Sequence, residues 1–167
     1  MRGPERGKKI DSSAQNSRRA PAAAVLAATA VLIKPQRMAV RIVRLGTPRA
    51  PEEGTRIGTV RRPPRGVPKE KFASDDWYDV WFPNLAPSLE TMKIALQAET
   101  PAEWARFAKK YRAEMATPAA RHDLQLLATL SHSTHFSVGC YCEREDRCHR
   151  SILRELLAAE GATIASA

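Results

Sequence analysis

The sequence predicts an α/β fold: a small sheet covered by helices in a single compact domain, with a disordered N-terminal extension. Short segments rich in β-branched residues lie near the beginning and the end of the folded part, and amphipathic segments with helical spacing lie between them. Strands on both sides of a helical block are typical of a sheet with helices packed on it. The chain has 167 residues, 43% hydrophobic and 27% charged, which suits one domain that buries its own core.

Residues 1–37 differ in composition from the rest of the chain. They contain eight basic and two acidic residues, which supply +6 of the formal charge of +9. The charge of the whole chain is therefore not evidence that the folded part binds nucleic acid. The apolar segment 20–33 is shorter than the roughly 20 residues that span a bilayer, so we expect no membrane partner. We expect residues 1–37 to be a dispensable disordered extension, with a targeting signal as the alternative, and residues 38–167 to form the α/β domain.

Two short strands are predicted at the start of the domain. Residues 38–45 are rich in β-branched residues and end at a Gly-Thr-Pro turn, which indicates the first strand. Residues 56–60 form the second. The following segment, 61–66, contains two prolines, which exclude a helix interior and a central strand, so it is predicted to be an irregular loop.

The middle of the chain is predicted to be helical. One short helix would carry Trp77 and Trp81 and end at Pro83, and a longer one would carry an apolar stripe from Trp104 to Met115. Four helices begin at residues that can cap an N-terminus, the third of them followed by Pro and a capping-box Glu. These capping residues are Ser74, Ser88, Thr100 and Thr117.

The last strand and helix bring the reactive residues together. Residues 135–142 alternate with a period of two, which predicts a strand that ends at Cys142. A charged turn follows, and a helix is predicted from Cys148 to Gly161. Because ligands bind at the carboxyl ends of strands and at helix N-termini, this turn is the predicted site.

The three cysteines of the chain lie within nine residues, which argues for free thiols in a reducing compartment and against a disulfide framework. Cys148 at a helix start, beside Arg147, Arg150 and a protonated His149, would be stabilised as a thiolate. We therefore predict Cys148 as a nucleophile. His149 and Glu143 would be further catalytic residues, and Arg150 and Cys142 would bind an anion.

Two alternatives to a nucleophile remain open. Cys140 and Cys142 could be small core side chains, since cysteine is often buried. A zinc ion could instead be held by Cys140, Cys142, Cys148 and His149. Cysteines two positions apart on an extended strand are separated by about 7 Å, which argues against such a metal site. No other cofactor is predicted.

Residues 140–157, with a strand ending in Cys-Glu and a helix opening with Cys-His-Arg, resemble the C-terminal signature of the YeaO-like family, domain of unknown function 488. The resemblance extends from Met38 to Gly161. It implies a compact α/β fold and a bacterial, cytoplasmic protein, and it implies no particular activity. The other stretches that carry the resemblance are Val40 to Leu45, Pro64-Arg65-Gly66-Val67, Leu85-Ala86-Pro87-Ser88 and Glu103-Trp104 to Tyr111-Arg112.

Two arginines after the second strand, Arg61 and Arg65, resemble a basic clamp. If that strand neighbours the cysteine strand, we expect both arginines to converge with Arg150, Glu143 and Cys148 on one pocket. The leading hypothesis is thus a cysteine-dependent enzyme that acts on a small phosphate- or carboxylate-bearing substrate.

The alternative is a nucleic-acid-binding or regulatory module with a structural or zinc-binding cysteine cluster. Trp77 and Trp81 would then stack on bases, beside the arginines of the first third of the domain. The sequence indicates no oligomeric state.

Overall fold

The computed structural model describes residues 38–166. The prediction that residues 1–37 are disordered therefore lies outside the described residues. Within residues 38–166, no helix is long and apolar enough to cross a membrane.

The described residues form a sheet of four parallel strands, in agreement with the predicted α/β class. The strands lie in the order β1-β4-β2-β3, so the last strand of the chain sits between the first two. Their carboxyl ends meet at one edge, where parallel sheets bind ligands. The strand bounds are Val40–Arg44 for β1, Thr55–Gly58 for β2, Val80–Trp81 for β3 and Phe136–Cys140 for β4.

Four helices pack on the sheet, and three begin where the capping residues predicted. Ser88 accepts a hydrogen bond from the backbone N–H of Thr91 at 3.1 Å. Thr100 and Glu103 form a capping box, which satisfies N–H groups that the helix itself leaves unpaired. The helices are α1 (Leu89–Gln97), α2 (Pro101–Met115), α3 (Pro118–Leu130) and α4 (His149–Ala159).

Two apolar clusters hold these elements together. The main core packs one stripe from each of α2, α3 and α4 against the sheet, with Phe107, Leu124 and Leu153 as central members. A smaller cluster lies at the carboxyl edge and contains Leu45, Val60, Tyr78, Cys140 and Cys148. Two of the three cysteines are thus part of a packed surface beside the predicted site.

The helix predicted from Ser74 is wrong. Trp81 instead belongs to the edge strand β3, and the backbone N–H of Trp77 bonds to the carbonyl of Phe72 in a turn. The Asp79 carboxylate accepts hydrogen bonds from the Arg49 guanidinium and from the backbone N–H of Arg56. These long-range bonds hold the segment extended beside β2 and override its local helical spacing.

Candidate functional site: a thiol cluster at the edge of the sheet

The three cysteines meet where β4 ends. Their Sγ atoms all lie within 4.8 Å of one another, and those of Cys140 and Cys142 are 3.7 Å apart. The sequence predicted a strand through Cys142 and therefore a separation of about 7 Å between these two thiols. That prediction is wrong, because β4 ends at Cys140 and the chain leaves the extended conformation there. We call Cys140, Cys142 and Cys148 the thiol cluster.

The three thiols differ in their access to solvent. Cys140 and Cys148 are buried, with Cys148 only 2% exposed, whereas Cys142 is exposed. The backbone around Cys140 is fixed on both sides, since its carbonyl accepts a hydrogen bond from the Leu45 N–H at 3.0 Å. Gly139 allows this close approach, because a Cβ there would stand 2.5 Å from the Leu45 side chain. The end of β4 therefore leaves the Cys142 thiol exposed to solvent, while the thiols of Cys140 and Cys148 are buried beside it.

This arrangement favours a thiolate on Cys142. Hydrogen bonds from the Cys140 and Cys148 thiols lower the pKa of Cys142 strongly, and the positive charge of Arg150 contributes to the same shift. The interactions with the Cys142 and Cys148 thiols, together with burial, raise the pKa of Cys140. A bond from Cys140 alone would lower the pKa of Cys148, but donation to Cys142 and burial prevail and raise it. These opposite shifts favour the exposed member, Cys142, as the thiolate of the cluster.

His149 is a neutral partner of Cys148. Burial lowers the pKa of His149 to about 4, so the protonated imidazole expected from the sequence is absent near neutral pH. Its Nε2 lies 2.9 Å from the Thr59 carbonyl oxygen, which can only accept, so Nε2 carries the proton and donates. Nδ1 is therefore an acceptor, and it lies 3.7 Å from the Cys148 Sγ. This fixed tautomer can accept a hydrogen bond from the Cys148 thiol.

Arg150 holds the loop that carries the exposed thiol. Its Nη2 donates to the Cys142 carbonyl oxygen at 2.7 Å. The residue is only 3% exposed, and its Nε has no hydrogen-bond partner among the described residues. Arg150 therefore fixes the Cys142 backbone through this hydrogen bond, and its positive charge favours the thiolate form of Cys142.

A cavity of about 250 Å³, the thiol cleft, opens over the cluster. All three cysteines and His149 line one end, and apolar side chains of α1 and α2, including Leu96 and Trp104, form the opposite wall. Three arginines, Arg61, Arg62 and Arg147, also line the cleft. Arg147 lies over the Trp104 ring at 5.4 Å, and Arg61 donates to the carbonyl groups of Ala86 and Pro87. The cleft thus combines a thiol with a lowered pKa, an apolar wall and three cations.

The predicted site residues do not all converge. Arg61, Cys142, Cys148 and His149 line the thiol cleft, as β2 and β4 are neighbours. Arg65 lines a separate cavity, because the loop after Arg61 turns away with its two prolines. The convergence of Arg65, Glu143 and Arg150 on one pocket with Cys148 is therefore wrong.

Glu143 points away from the cleft. Its side chain is 83% exposed, and the nearest cation is the Arg44 guanidinium at 4.0 Å. In this position it contacts none of the three thiols.

Sequence reasoning missed the wall of the cleft. Trp104 and Phe107 have the helical spacing of a buried stripe, and the pattern does not distinguish core residues from a cavity wall. The Thr59 carbonyl, which fixes the His149 tautomer, has no signal in sequence because it is a backbone group.

Comparison with known proteins gives a family. The family model described as "Active DUF488-N3 subclade" matches residues 40–161. No curated protein and no solved structure matches the chain. The matched range contains the whole sheet, all four helices and the thiol cluster, and it agrees with the resemblance drawn from residues 140–157. The chain therefore belongs to the DUF488 family.

Proposed function

We propose that this protein is a cysteine-dependent enzyme that acts on a small anionic substrate, with Cys142 as the nucleophile. The observation that carries the proposal is an exposed thiol, at the end of a cleft, whose pKa is lowered by two buried thiols, with the three Sγ atoms within 4.8 Å of one another. A thiolate is the nucleophilic form of cysteine, and stabilising it near neutral pH is how thiol enzymes are activated. The proposal moves the nucleophile from Cys148, the residue favoured by sequence, to the exposed member of the cluster.

The reaction is a nucleophilic displacement in two steps. In the first, the Cys142 Sγ forms a bond to an electrophilic carbon or phosphorus atom, and the leaving group departs with its electron pair. The Cys148 thiol supplies the proton that the leaving group takes. In the second step, the oxygen of a water molecule forms a bond to the same centre and the bond to Sγ breaks, which restores the Cys142 thiolate. A water proton returns to Cys148.

Cys148 suits this proton-carrying role because its pKa is raised and its Sγ lies within 4.8 Å of the Cys142 Sγ. The neutral His149 keeps its Nε2–H on the Thr59 carbonyl, so the acceptor Nδ1 faces the Cys148 thiol and holds its protonated form in place. His149 is thus a positioning residue for the proton carrier.

The cleft favours a small substrate with an anionic group and an apolar part. Its volume of about 250 Å³ is below the usual size of a drug-sized pocket. Arg61 and Arg147 at the rim provide charge-assisted donors for a carboxylate or phosphate, and the wall beside Trp104 accepts the apolar part. Free thiols persist in a reducing compartment, so we place this activity in the bacterial cytoplasm.

Labelling with iodoacetamide tests the nucleophile. At pH 6 an ordinary thiol with a pKa of about 8.5 is almost wholly protonated, and we expect Cys142 to react about 100-fold faster than such a thiol. Mass spectrometry identifies the alkylated residue, and Cys142→Ser removes the fast phase. Labelling confined to Cys148, or labelling at the rate of a free thiol, would contradict the assignment.

Hydrolysis of p-nitrophenyl acetate and p-nitrophenyl phosphate tests the reaction class. We expect turnover of one of these esters by the full chain and none by Cys142→Ser. Thermal unfolding of both proteins shows whether the variant keeps its fold. Equal turnover by the variant and the parent would rule out Cys142 as the nucleophile.

Zinc binding is the second candidate, and one distance favours it. Thiolates on a tetrahedral zinc ion lie about 3.8 Å apart, given Zn–S bonds of about 2.3 Å, and the Cys140 and Cys142 Sγ atoms are 3.7 Å apart. His149 is not part of the compact group, so the candidate ligand set is the three thiols with a fourth position towards the cleft. Stoichiometric zinc in the purified protein, lost in Cys142→Ser, would support this candidate and would protect the thiols from labelling.

A further inference from the structure

A second cavity, of about 430 Å³, lies at the same edge of the sheet and is not used by the proposed chemistry. It is bounded by the carboxyl end of β1, the loop after β2 and the residue after Cys140. Three arginines and two aromatic side chains dominate its lining: Arg44, Arg62, Arg65, Trp77 and Tyr141. We call it the basic cavity.

The charge of the basic cavity is uncompensated. No acidic side chain is among its lining residues. Within residues 38–166, Arg62 and Arg65 make no side-chain hydrogen bond or ion pair, and Arg44 has only the outward-facing Glu143 at 4.0 Å. By contrast, Arg49, Arg112, Arg144 and Arg154 are all paired with carboxylates. Two guanidinium groups without a partner among the described residues, and a third with one long ion pair, provide the planar donors that bind phosphate.

The aromatic wall of the cavity is held in place. The rings of Trp77 and Tyr141 lie 5.6 Å apart in an edge-to-face arrangement. The Tyr141 hydroxyl donates to the Arg62 carbonyl oxygen at 3.1 Å, which ties this wall to the arginine loop. Gly46, with φ +79°, makes room for Trp77, because a Cβ there would lie 2.8 Å from the indole ring. An ordered aromatic pair is a stacking surface for a planar ligand.

The two cavities share a wall. Arg62 and Tyr141 line both, and Tyr141 lies between Cys140 and Cys142 in the chain. A ligand whose phosphate sits among the arginines can therefore extend past Tyr141 towards the exposed thiol. The position of the basic cavity at the carboxyl edge of a parallel sheet is also where phosphate-bearing ligands bind in such folds.

We propose that the basic cavity binds a nucleotide, with its phosphate on Arg44, Arg62 and Arg65 and its base against Trp77 and Tyr141. This proposal names the substrate class for the function proposed above and rests on that function for the step at Cys142. The binding itself does not need a reactive thiol, so the two proposals fail separately.

Calorimetric titration of the full chain with AMP, adenosine and inorganic phosphate tests the site. We expect AMP to bind, and adenosine and inorganic phosphate to bind at least about tenfold more weakly, because each supplies only part of the contacts. Arg65→Ala weakens AMP binding about tenfold, and Arg65→Lys weakens it less, since a lysine keeps the charge without the planar fork. Arg106→Ala, at an exposed arginine of α2, is the matched control and leaves AMP affinity unchanged. Residues 1–37 are common to every variant, so their charge does not affect the comparison.

A single-stranded oligonucleotide distinguishes a free nucleotide from a nucleotide within a strand. If the oligonucleotide binds, is displaced by AMP, and loses affinity together with AMP in Arg65→Ala, the site takes a nucleotide within a strand. If AMP binds and the oligonucleotide does not, the site takes a free nucleotide. Absence of AMP binding, or an equal effect of Arg65→Ala and Arg106→Ala, overturns the proposal. Cys142→Ser keeps its AMP affinity if the site is correct, and a parent protein that binds AMP but shows no fast labelling of Cys142 contradicts only the function proposed above.

Discussion

Two clusters of polar side chains flank strands β2 and β4, and they are built in opposite ways. The first, the arginine cluster, consists of Glu53, Arg56, Asp79 and Ser137. The second is the thiol cluster with Arg150 behind it. In the arginine cluster every charged group meets a partner, whereas in the thiol cluster a thiolate faces a cavity and a guanidinium nitrogen has no partner among the described residues.

The arginine cluster is closed. Arg56 is fully buried, and its guanidinium donates to both Glu53 carboxylate oxygens and to the carbonyl groups of Thr47 and Asp76. Burial alone would raise the pKa of Glu53, but the bonds from Arg56 and Ser137 lower it. A charged pair that is this completely hydrogen-bonded fixes loops against strands and leaves nothing for a ligand to bind.

The thiol cluster is open. Thiols are weak donors and acceptors, and their hydrogen bonds stabilise charge on Cys142 more than they stabilise the fold. Perturbed pKa values in a cleft are typical of functional sites, while the same perturbation in a closed ion pair is typical of structure. The comparison shows that the two clusters differ less in burial or charge than in whether every polar group has a hydrogen-bond or ion-pair partner.

The largest expected effect is from Arg56→Met. The change leaves the Glu53 carboxylate buried without its cation, and we expect a loss of about 3–5 kcal/mol in the free energy of unfolding. Urea denaturation measures this loss, with Arg106→Met as the control. A loss below about 1 kcal/mol would show that the arginine cluster is not what holds these loops.

His149 gives the next effect, through pH. Its folded pKa of about 4 lies below its unfolded value, so the unfolded chain binds a proton that the folded chain rejects between about pH 6.5 and pH 4. Stability therefore falls as pH falls through this window, by about 3 kcal/mol from His149 alone. His149→Gln should remove this share of the pH dependence, and the exposed His122→Gln should not. If the stability of the parent and of His149→Gln had the same pH dependence, the His149 side chain would have to be exposed to solvent rather than buried.

Arg150→Ala sharpens the comparison from the other side. It removes a positive charge near Cys142 and a donor to its carbonyl, so the thiolate becomes less favoured. We expect labelling of Cys142 at pH 6 to slow about tenfold and stability to fall by about 1 kcal/mol, the scale of one lost hydrogen bond to a part-buried carbonyl. Arg150→Lys should recover part of the labelling rate. Unchanged labelling would mean that the two partner thiols alone stabilise the thiolate.

The smallest expected effect is from Glu143→Gln. Its exposed carboxylate makes only a long contact with Arg44, so stability should change by less than about 0.5 kcal/mol. The rate of Cys142 labelling should also stay within about twofold of the parent rate, because no thiol contacts this side chain. A large loss in ester hydrolysis by Glu143→Gln would instead support the catalytic role predicted from the sequence.

The sequence predicts correctly those elements whose stabilising contacts lie close together along the chain, and it fails where the contacts join distant residues. The helices after Ser88 and Thr100 were predicted correctly because each cap and its partner lie within three residues of each other, and the helix after Thr117 because Pro118 is at its first position. The helix from Ser74 failed because the partner of Asp79 is Arg49, thirty residues away.

The candidate site divides in the same way. That Cys142 and Cys148 would meet followed from a strand end and a helix start, whereas the bend after Cys140 that brings two thiols to 3.7 Å did not. Arg61 and Arg65 look alike in sequence, and only the carbonyl groups that fold beside Arg61 place one in the thiol cleft and the other in the basic cavity.

Tyr141 has a consequence of its own, because it is the single residue between Cys140 and Cys142. Its ring borders both cavities, and the two sulfur atoms on either side of it are joined to it by the shortest possible stretch of chain. We expect a ligand that displaces this ring to displace the backbone of Cys140 and Cys142 as well, and so to change the 3.7 Å spacing of their sulfur atoms. Occupation of the basic cavity would then alter the reactivity of the thiol in the neighbouring cleft.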